Sequence, residues 1–248
     1  MLQSTKSATR TMSRLVAGVA LAALVAACSD SGQDTTRVSE ADNAATTSGA
    51  GVDPVTTAAV ELPRAAGDVD MAEVMKPGPM EEMYLGEPDA PVKIVEYMSL
   101  TCPHCANFHN STFKQIVTDY VDTGKVQFIV REFPFDPRAT AAIMLARCAP
   151  DGKFFPMVDV LMQQQANWAR AEDAAAALFN ISKLAGFTQE SFEACLTNQK
   201  LVDDVNAVRK KAAEEFGVNS TPTFLINGKR YPGNMSVESM SALIDSLL

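Results

Sequence analysis

Cys102 and Cys105 stand two residues apart, with Pro103 and His104 between them. Two thiols at this spacing can close a small disulfide or remain open as a dithiol, and the residues between them bias which form is favoured. The same spacing also supplies half of a zinc site, and it occurs in plain structural bridges. The element that carries the motif, and the compartment the chain reaches, decide among these chemistries.

Upstream of the motif, residues 91–98 are largely apolar, and Val92, Ile94 and Val95 are β-branched, so the stretch reads as a buried strand. Pro103 suits a first helical turn, where its missing N–H is not needed. The sequence predicts a helix over about 103–121, with Phe108, Phe113, Ile116, Val117 and Tyr120 inward and Gly124 as its stop. A second strand, 126–133, ends at Pro134 and Pro137. Strand, helix and strand make a parallel βαβ unit. Residues 138–216 read as mostly helical. Residues 222–231 read as a hairpin turning at Asn227-Gly228. A last helix starts near the N-cap Ser236, without a capping box, and carries Val237, Met240, Leu243, Ile244, Leu247 and Leu248 as an apolar stripe.

The motif therefore sits where a buried strand gives way to a helix. Free N–H groups and the dipole at a helix N-terminus favour an anion. Cys102 is accordingly the expected nucleophile, His104 adds a favourable interaction with its thiolate, and Cys105, one turn inside, is the shielded resolving thiol. Such a site can lower a thiol pKa from about 8.5 to as little as roughly 3.5. A stabilised thiolate favours the dithiol and makes the disulfide an oxidant. Zinc is the competing reading, with Cys102, Cys105 and His109 as ligands. Structural zinc wants four, so His109 is read instead as an exposed helix residue.

Compartment follows from the first residues. Lys6, Arg10 and Arg14 precede an apolar or small run from Leu15 to Ala27, the plan of an export signal over 1–27. The run is too short to span a membrane as a helix. Val25-Ala26-Ala27-Cys28 resembles a bacterial lipobox, with Leu24 one place early, so Cys28 is expected to be lipidated. The alternative is an ordinary cleaved signal with an incidental cysteine. Residues 28–66 are rich in Ser, Thr, Ala, Gly and Asp, have no aromatic residue, and read as a flexible tether. Residues 67–248 suit one domain with a good core. The net charge of −9 leaves no basic stripe, and no nucleic-acid partner is expected.

Leu85-Gly86-Glu87-Pro88-Asp89-Ala90-Pro91-Val92, Glu96-Tyr97, the Cys102–Cys105 motif, Arg131-Glu132-Phe133-Pro134 and Ser220-Thr221-Pro222-Thr223-Phe224 together resemble the DsbA family of thiol:disulfide oxidoreductases, over roughly 80–248. The resemblance implies an α/β thioredoxin fold with an inserted α-helical domain. The thioredoxin part would be about 80–137 and 217–248, and the insertion about 138–216. It implies a cis Pro222 facing the redox pair, with Thr221 backbone groups exposed to an extended substrate strand. Thr221 would also tune potential and substrate release. It makes Glu96 a buried acid that moves protons near Cys105, where a half-exposed strand residue is the plain alternative. Cys148 and Cys195 are left over in the helical stretch; pairing is expected in an oxidising space, and some family members carry such a second bridge. Two buried free thiols are the alternative.

Other residues carry less. Met157 and Met162 read as core or groove lining, Trp168 as packed between helices, and Arg131 and Glu132 as ion-paired or solvated. The chain is therefore expected to be a lipid-anchored, periplasmic or otherwise extracytoplasmic oxidase. Reduced exported proteins would be its substrates and a membrane protein its re-oxidant. The Cys102–Cys105 disulfide would serve without metal or organic cofactor. Reductase or isomerase activity is the near alternative, although isomerases of this type usually carry a dimerisation domain that 29–66 does not resemble. A surface lipoprotein with a static disulfide is the distant one.

Overall fold

In the computed structural model, which describes residues 61–150 and 152–248, the chain begins with β1 (Gly67–Asp68), α1 (Met71–Val74) and β2 (Met83–Leu85). Then come β3 (Val92–Met98), α2 (Pro103–Asn110), α3 (Thr112–Ile116), a π-helical turn (Val117–Val121) and β4 (Val126–Glu132). Six helices follow: α4 (Pro137–Arg147), α5 (Phe154–Gln163), α6 (Gln165–Trp168), α7 (Ala174–Leu184), α8 (Gln189–Leu196) and α9 (Gln199–Glu215). The hairpin β5 (Thr223–Ile226) and β6 (Lys229–Pro232) leads to α10 (Val237–Asp245). The signal segment expected at 1–27, Cys28, and all but the last six residues of the expected tether lie outside the described residues.

The strands form one sheet in the order β1-β6-β5-β3-β4-β2. Only β3 and β4 run parallel, as a βαβ unit requires; β3 lies at the centre, antiparallel to β5 on its other side. Alternation along β3 sorts its residues. Ile94 and Met98 point into the larger core with Phe108, Ile116, Phe128 and Leu243, while Val95 and Tyr97 face Val74, Ala212 and Phe216 on the other side. Glu96 shares the register of Ile94 and Met98, so a carboxylate points into the layer beneath α2. This is the expected thioredoxin fold with helices inserted between β4 and β5. The C-terminal part of α9 packs on the sheet, however, so its last residues belong with the thioredoxin layer.

The hairpin turns at Asn227 and Gly228, both at positive φ (41° and 91°), the combination a two-residue turn of type I′ needs. Asn227 Oδ1 also accepts the Lys93 N–H at 2.8 Å, which ties the turn to β3. Ser236 caps α10, accepting the Ser239 N–H.

One element departs from expectation. The helix predicted over 103–121 breaks at Ser111 (φ −126°, ψ −80°). The run Asn110-Ser111-Thr112 supplies the cause: Ser111 Oγ donates to Asn107 O at 2.7 Å, and Thr112 Oγ1 leaves the helix to donate to Met235 O at 2.9 Å. Val117 and Phe113 are consequently only partly buried, while Phe108, Ile116 and Tyr120 are buried as expected. Arg131 and Glu132 are not solvated: Arg131 pairs with Glu82 and Tyr97, and Glu132 with Arg147. Trp168 is fully buried and its indole N–H donates to Leu161 O at 2.8 Å. Met157 and Met162 are buried.

Cys148, at the end of α4, is joined to Cys195 in α8 across 47 residues. A loop of that length favours the folded state by about 4 kcal/mol in the chain-entropy description. Replacing both cysteines by alanine is expected to lower the unfolding free energy by about 2–4 kcal/mol in urea titrations of the oxidised protein. An unchanged transition midpoint would mean that the bridge contributes no stability.

Candidate active site

β3 ends at Met98, and a three-residue link brings the chain to Cys102, which occupies the N-cap position of α2 with extended dihedrals (φ −78°, ψ 119°). Pro103 follows at the first helical position, as its geometry predicts. Cys102 is half-buried and Cys105 fully buried; the two are not bonded to each other, so the pair is a dithiol. His104 is exposed. The Thr221–Pro222 peptide is cis, as the family resemblance implied, and it closes the other side of Cys102. The Cys102 thiol donates to Thr221 O at 3.2 Å. Thr221 as a whole residue is 8% exposed. Its hydroxyl is also buried and has no hydrogen-bond partner among the described residues.

The two thiols are driven apart in acidity. Cys102 is lowered from its ordinary 9.0 to about 5. The hydrogen bond from the Cys105 thiol is the largest cause, opposed by partial burial. The backbone N–H groups of Cys105 and His104 add to the lowering, as the free donors of a helix N-terminus. Cys105 is held well above its ordinary value, first by burial, then by its bond to Cys102 and the charge of Glu96. Two titratable groups pushed in opposite directions mark an assignment of roles: Cys102 ionises and Cys105 keeps its proton.

Glu96 is completely buried, which settles its alternative reading. Its Oε2 meets His109 Nε2 at 2.9 Å, and its Oε1 has no partner among the described residues. This corrects the expectation for His109: it is not an exposed helix residue but 2% exposed, one turn after Cys105 on the same inward face of α2. The spacing of four between Cys105 and His109 was the available signal.

Two further residues escaped the sequence reading because their partners are remote. Gln165 of α6 donates through Nε2 to Leu100 O at 2.7 Å and to Cys102 O at 3.0 Å. Asp136 caps α4 through Oδ1 and receives the Thr101 hydroxyl on Oδ2 at 2.6 Å. The inserted helices thus hold the link that presents Cys102. A cleft of about 670 Å³ opens beside it, lined by Thr101, Pro103, Arg138, Gln165 and Arg170 among others.

A family model described as thioredoxin matches residues 79–246. A Rickettsia felis protein provisionally named a protein-disulfide oxidoreductase is 34% identical over 168 residues, which are 67% of this chain and 60% of that protein. The chain thus spans less than two thirds of the Rickettsia felis relative's length. Wolbachia pipientis α-DsbA1 is 30% identical in sequence, with a TM-score of 0.66 over 71% of this chain and 94% of that one. A Novosphingobium aromaticivorans structure described as a protein-disulfide isomerase is 26% identical, with a TM-score of 0.59 over 66% of this chain and 96% of its own.

The split acidity has a consequence for stability. Cys102 has a folded value below its unfolded one, so its contribution to the folded dithiol is full above 9.0 and lost as pH falls through about 5. Cys105 is shifted upward, so its contribution is present below 9.0 and lost above it. Urea unfolding of the reduced protein, compared with the oxidised one, is expected to show a stability gain that grows from pH 5 and turns over near pH 9. Ultraviolet titration of the Cys102 thiolate should give a midpoint near 5, and Cys105→Ala should move it up toward the ordinary value. A flat difference between pH 5 and 9 would contradict the assignment of Cys102.

Proposed function

The chain belongs to the thioredoxin family, in its DsbA branch, and from that membership we propose that it is an extracytoplasmic thiol:disulfide oxidoreductase that donates disulfides to exported proteins. The observation that carries this reading is the unequal pair: a half-exposed Cys102 held near pKa 5 beside a buried, protonated Cys105. In the disulfide form, a substrate thiolate attacks Cys102 Sγ, and the Cys102–Cys105 bond breaks. Cys105 leaves as the thiolate and takes up a proton. A second substrate thiolate then attacks the substrate sulfur of the mixed disulfide, and Cys102 leaves as its stabilised thiolate. A good leaving group makes both steps favourable in the oxidising direction.

Once the first bond breaks, Cys102 carries the substrate, and ionised or disulfide-bonded sulfur no longer donates to Thr221 O. That carbonyl is then free to accept an N–H from an extended substrate, the form of strand addition expected beside Pro222. The cleft next to Thr101 and Pro103 offers room for flanking residues. No metal or organic cofactor enters these steps; the dithiol product is returned to the disulfide by a membrane-bound partner. The basic and apolar segment at 1–27 and the lipobox-like Val25–Cys28 support export and a lipid anchor at Cys28, with 29–66 as tether. Among the described residues no helix is long and apolar enough to cross a membrane.

Isomerisation is the second reading, favoured by the likeness to a structure described as a protein-disulfide isomerase. Oxidative folding separates the two. With a reduced, unfolded substrate the protein should introduce disulfides, with a scrambled substrate it should recover little native activity, and Cys102→Ser should reduce the first activity to background. Equal recovery from scrambled substrate would replace oxidase by isomerase; no Cys102-dependent turnover of either would leave only a static bridge. Cell fractionation tests the anchor separately. Wild-type protein should sediment with membranes and Cys28→Ala should appear in the soluble fraction, whereas soluble wild-type protein would rule out lipidation.

A further inference from the structure

Glu96 is a carboxylate with one oxygen bonded and one idle, at zero exposure in the layer under α2. Burying such a group costs several kcal/mol unless pairing and hydrogen bonds offset it, and here one oxygen has neither among the described residues. Its bonded side leads to His109, whose ring lies between Phe108 (centroid distance 5.6 Å) and Phe113 (4.7 Å). His109 in turn lines a cleft of about 350 Å³ walled by Leu85, Phe113, Val117, Phe155 and Val158. An ion pair, Lys114 with Asp159 at 3.2 Å, stands at its rim. This cleft shares no lining residue with the one beside Cys102. A substrate covering Cys102 and Thr221 would leave it open to water.

On the functional reading above, we infer that Glu96 and His109 are a proton conduit linking Cys105 Sγ to water in this second cleft, so that the buried thiol exchanges its proton while substrate occupies the first. When Cys105 attacks Cys102 Sγ, its proton goes to Glu96 Oε1. The carboxyl so formed turns and passes that proton to His109 Nε2, and the other ring nitrogen gives one to water. In the oxidising direction, Cys105 leaves as a thiolate and the proton travels inward by the same atoms, which also returns the ring to its first tautomer. The charged and titratable groups involved are Cys102 at the N-cap of α2, Cys105 and His109 on α2, Glu96 on β3, Lys114 on α3 and Asp159 on α5. Glu96 and His109 are positioning and proton-carrying residues; neither forms a bond to substrate.

The disulfide reagent dithionitrobenzoate separates the steps. Cys102 attacks it and releases one coloured thiolate; Cys105 then loses its proton, attacks Cys102 Sγ and releases the second. His109→Ala is expected to leave the first release unchanged and slow the second by about 100-fold, the lower end of the usual range for a positioned acid–base group. Added imidazole should enter the enlarged cleft and restore it. Glu96→Gln should slow the same step without rescue. Should these variants fail to fold, Val117→Trp fills the cleft while leaving the pair in place, and should slow the second release alone. A second release as fast as wild type in His109→Ala or Val117→Trp, or slowed in His109→Ala but indifferent to imidazole, would overturn the conduit. Loss of the first release in wild type would instead overturn the functional reading on which it rests.

Discussion

Holding one thiol at a helix N-terminus while its partner stays in the core is the constraint that the rest of the molecule serves. A helix start offers free N–H groups, and here β3 runs through the sheet centre and stops at Met98, so that a short link delivers Cys102 to that start. The first position must tolerate a missing donor, which Pro103 does. One turn inside, Cys105 can then sit at zero exposure and donate a hydrogen bond to the neighbouring sulfur while keeping its proton. The low value of Cys102 comes mostly from this partner, so each thiol's state is written into the other's.

Such a junction is a short, irregular link, and irregular backbone is held by whatever packs on it. Here the holders come from the inserted helices. Gln165 bridges two carbonyls of the link, and Asp136 serves both α4 and Thr101. Trp168, one turn after Gln165, is fully buried and bonded to α5, so the side chain that reaches the link is itself fixed. The Cys148–Cys195 bridge ties α4, which Asp136 caps, to α8. The insertion is therefore part of the redox apparatus and not only a cover for the cleft.

The strands, the hairpin turn and the redox pair were legible because each rests on local chemistry: β-branched runs, Asn-Gly at positive φ, and proline at a first turn. The same locality explains the failures. The helix over 103–121 looked continuous by its apolar spacing, but Thr112 prefers a carbonyl 123 residues away, and no periodic pattern encodes such a partner. His109 looked exposed for the same reason, since its burial depends on a carboxylate from a different element. β1, α1 and β2 are too short to carry a period at all. The sequence spacing of four between Cys105 and His109, read together with Glu96 on the inward register of β3, contains the information; reading it needed the sheet and helix to be laid face to face.

That placement bears on what kind of protein this is. A bridge kept only for stability gains nothing from an acid buried nearby, since an apolar side chain of similar size would pack there as well or better. Nor does it need a half-exposed sulfur held near pKa 5, which in the dithiol is a reactive thiolate at neutral pH. Both features weaken a static role and both are explained by exchange. Breaking the Cys102–Cys105 bond places a new thiolate in a site whose burial and neighbouring charge disfavour it, and only a proton relieves that. The acid beneath α2 and the acidity of Cys102 are then two halves of one requirement: electrons enter through the exposed sulfur, and the proton that balances them must reach the buried one.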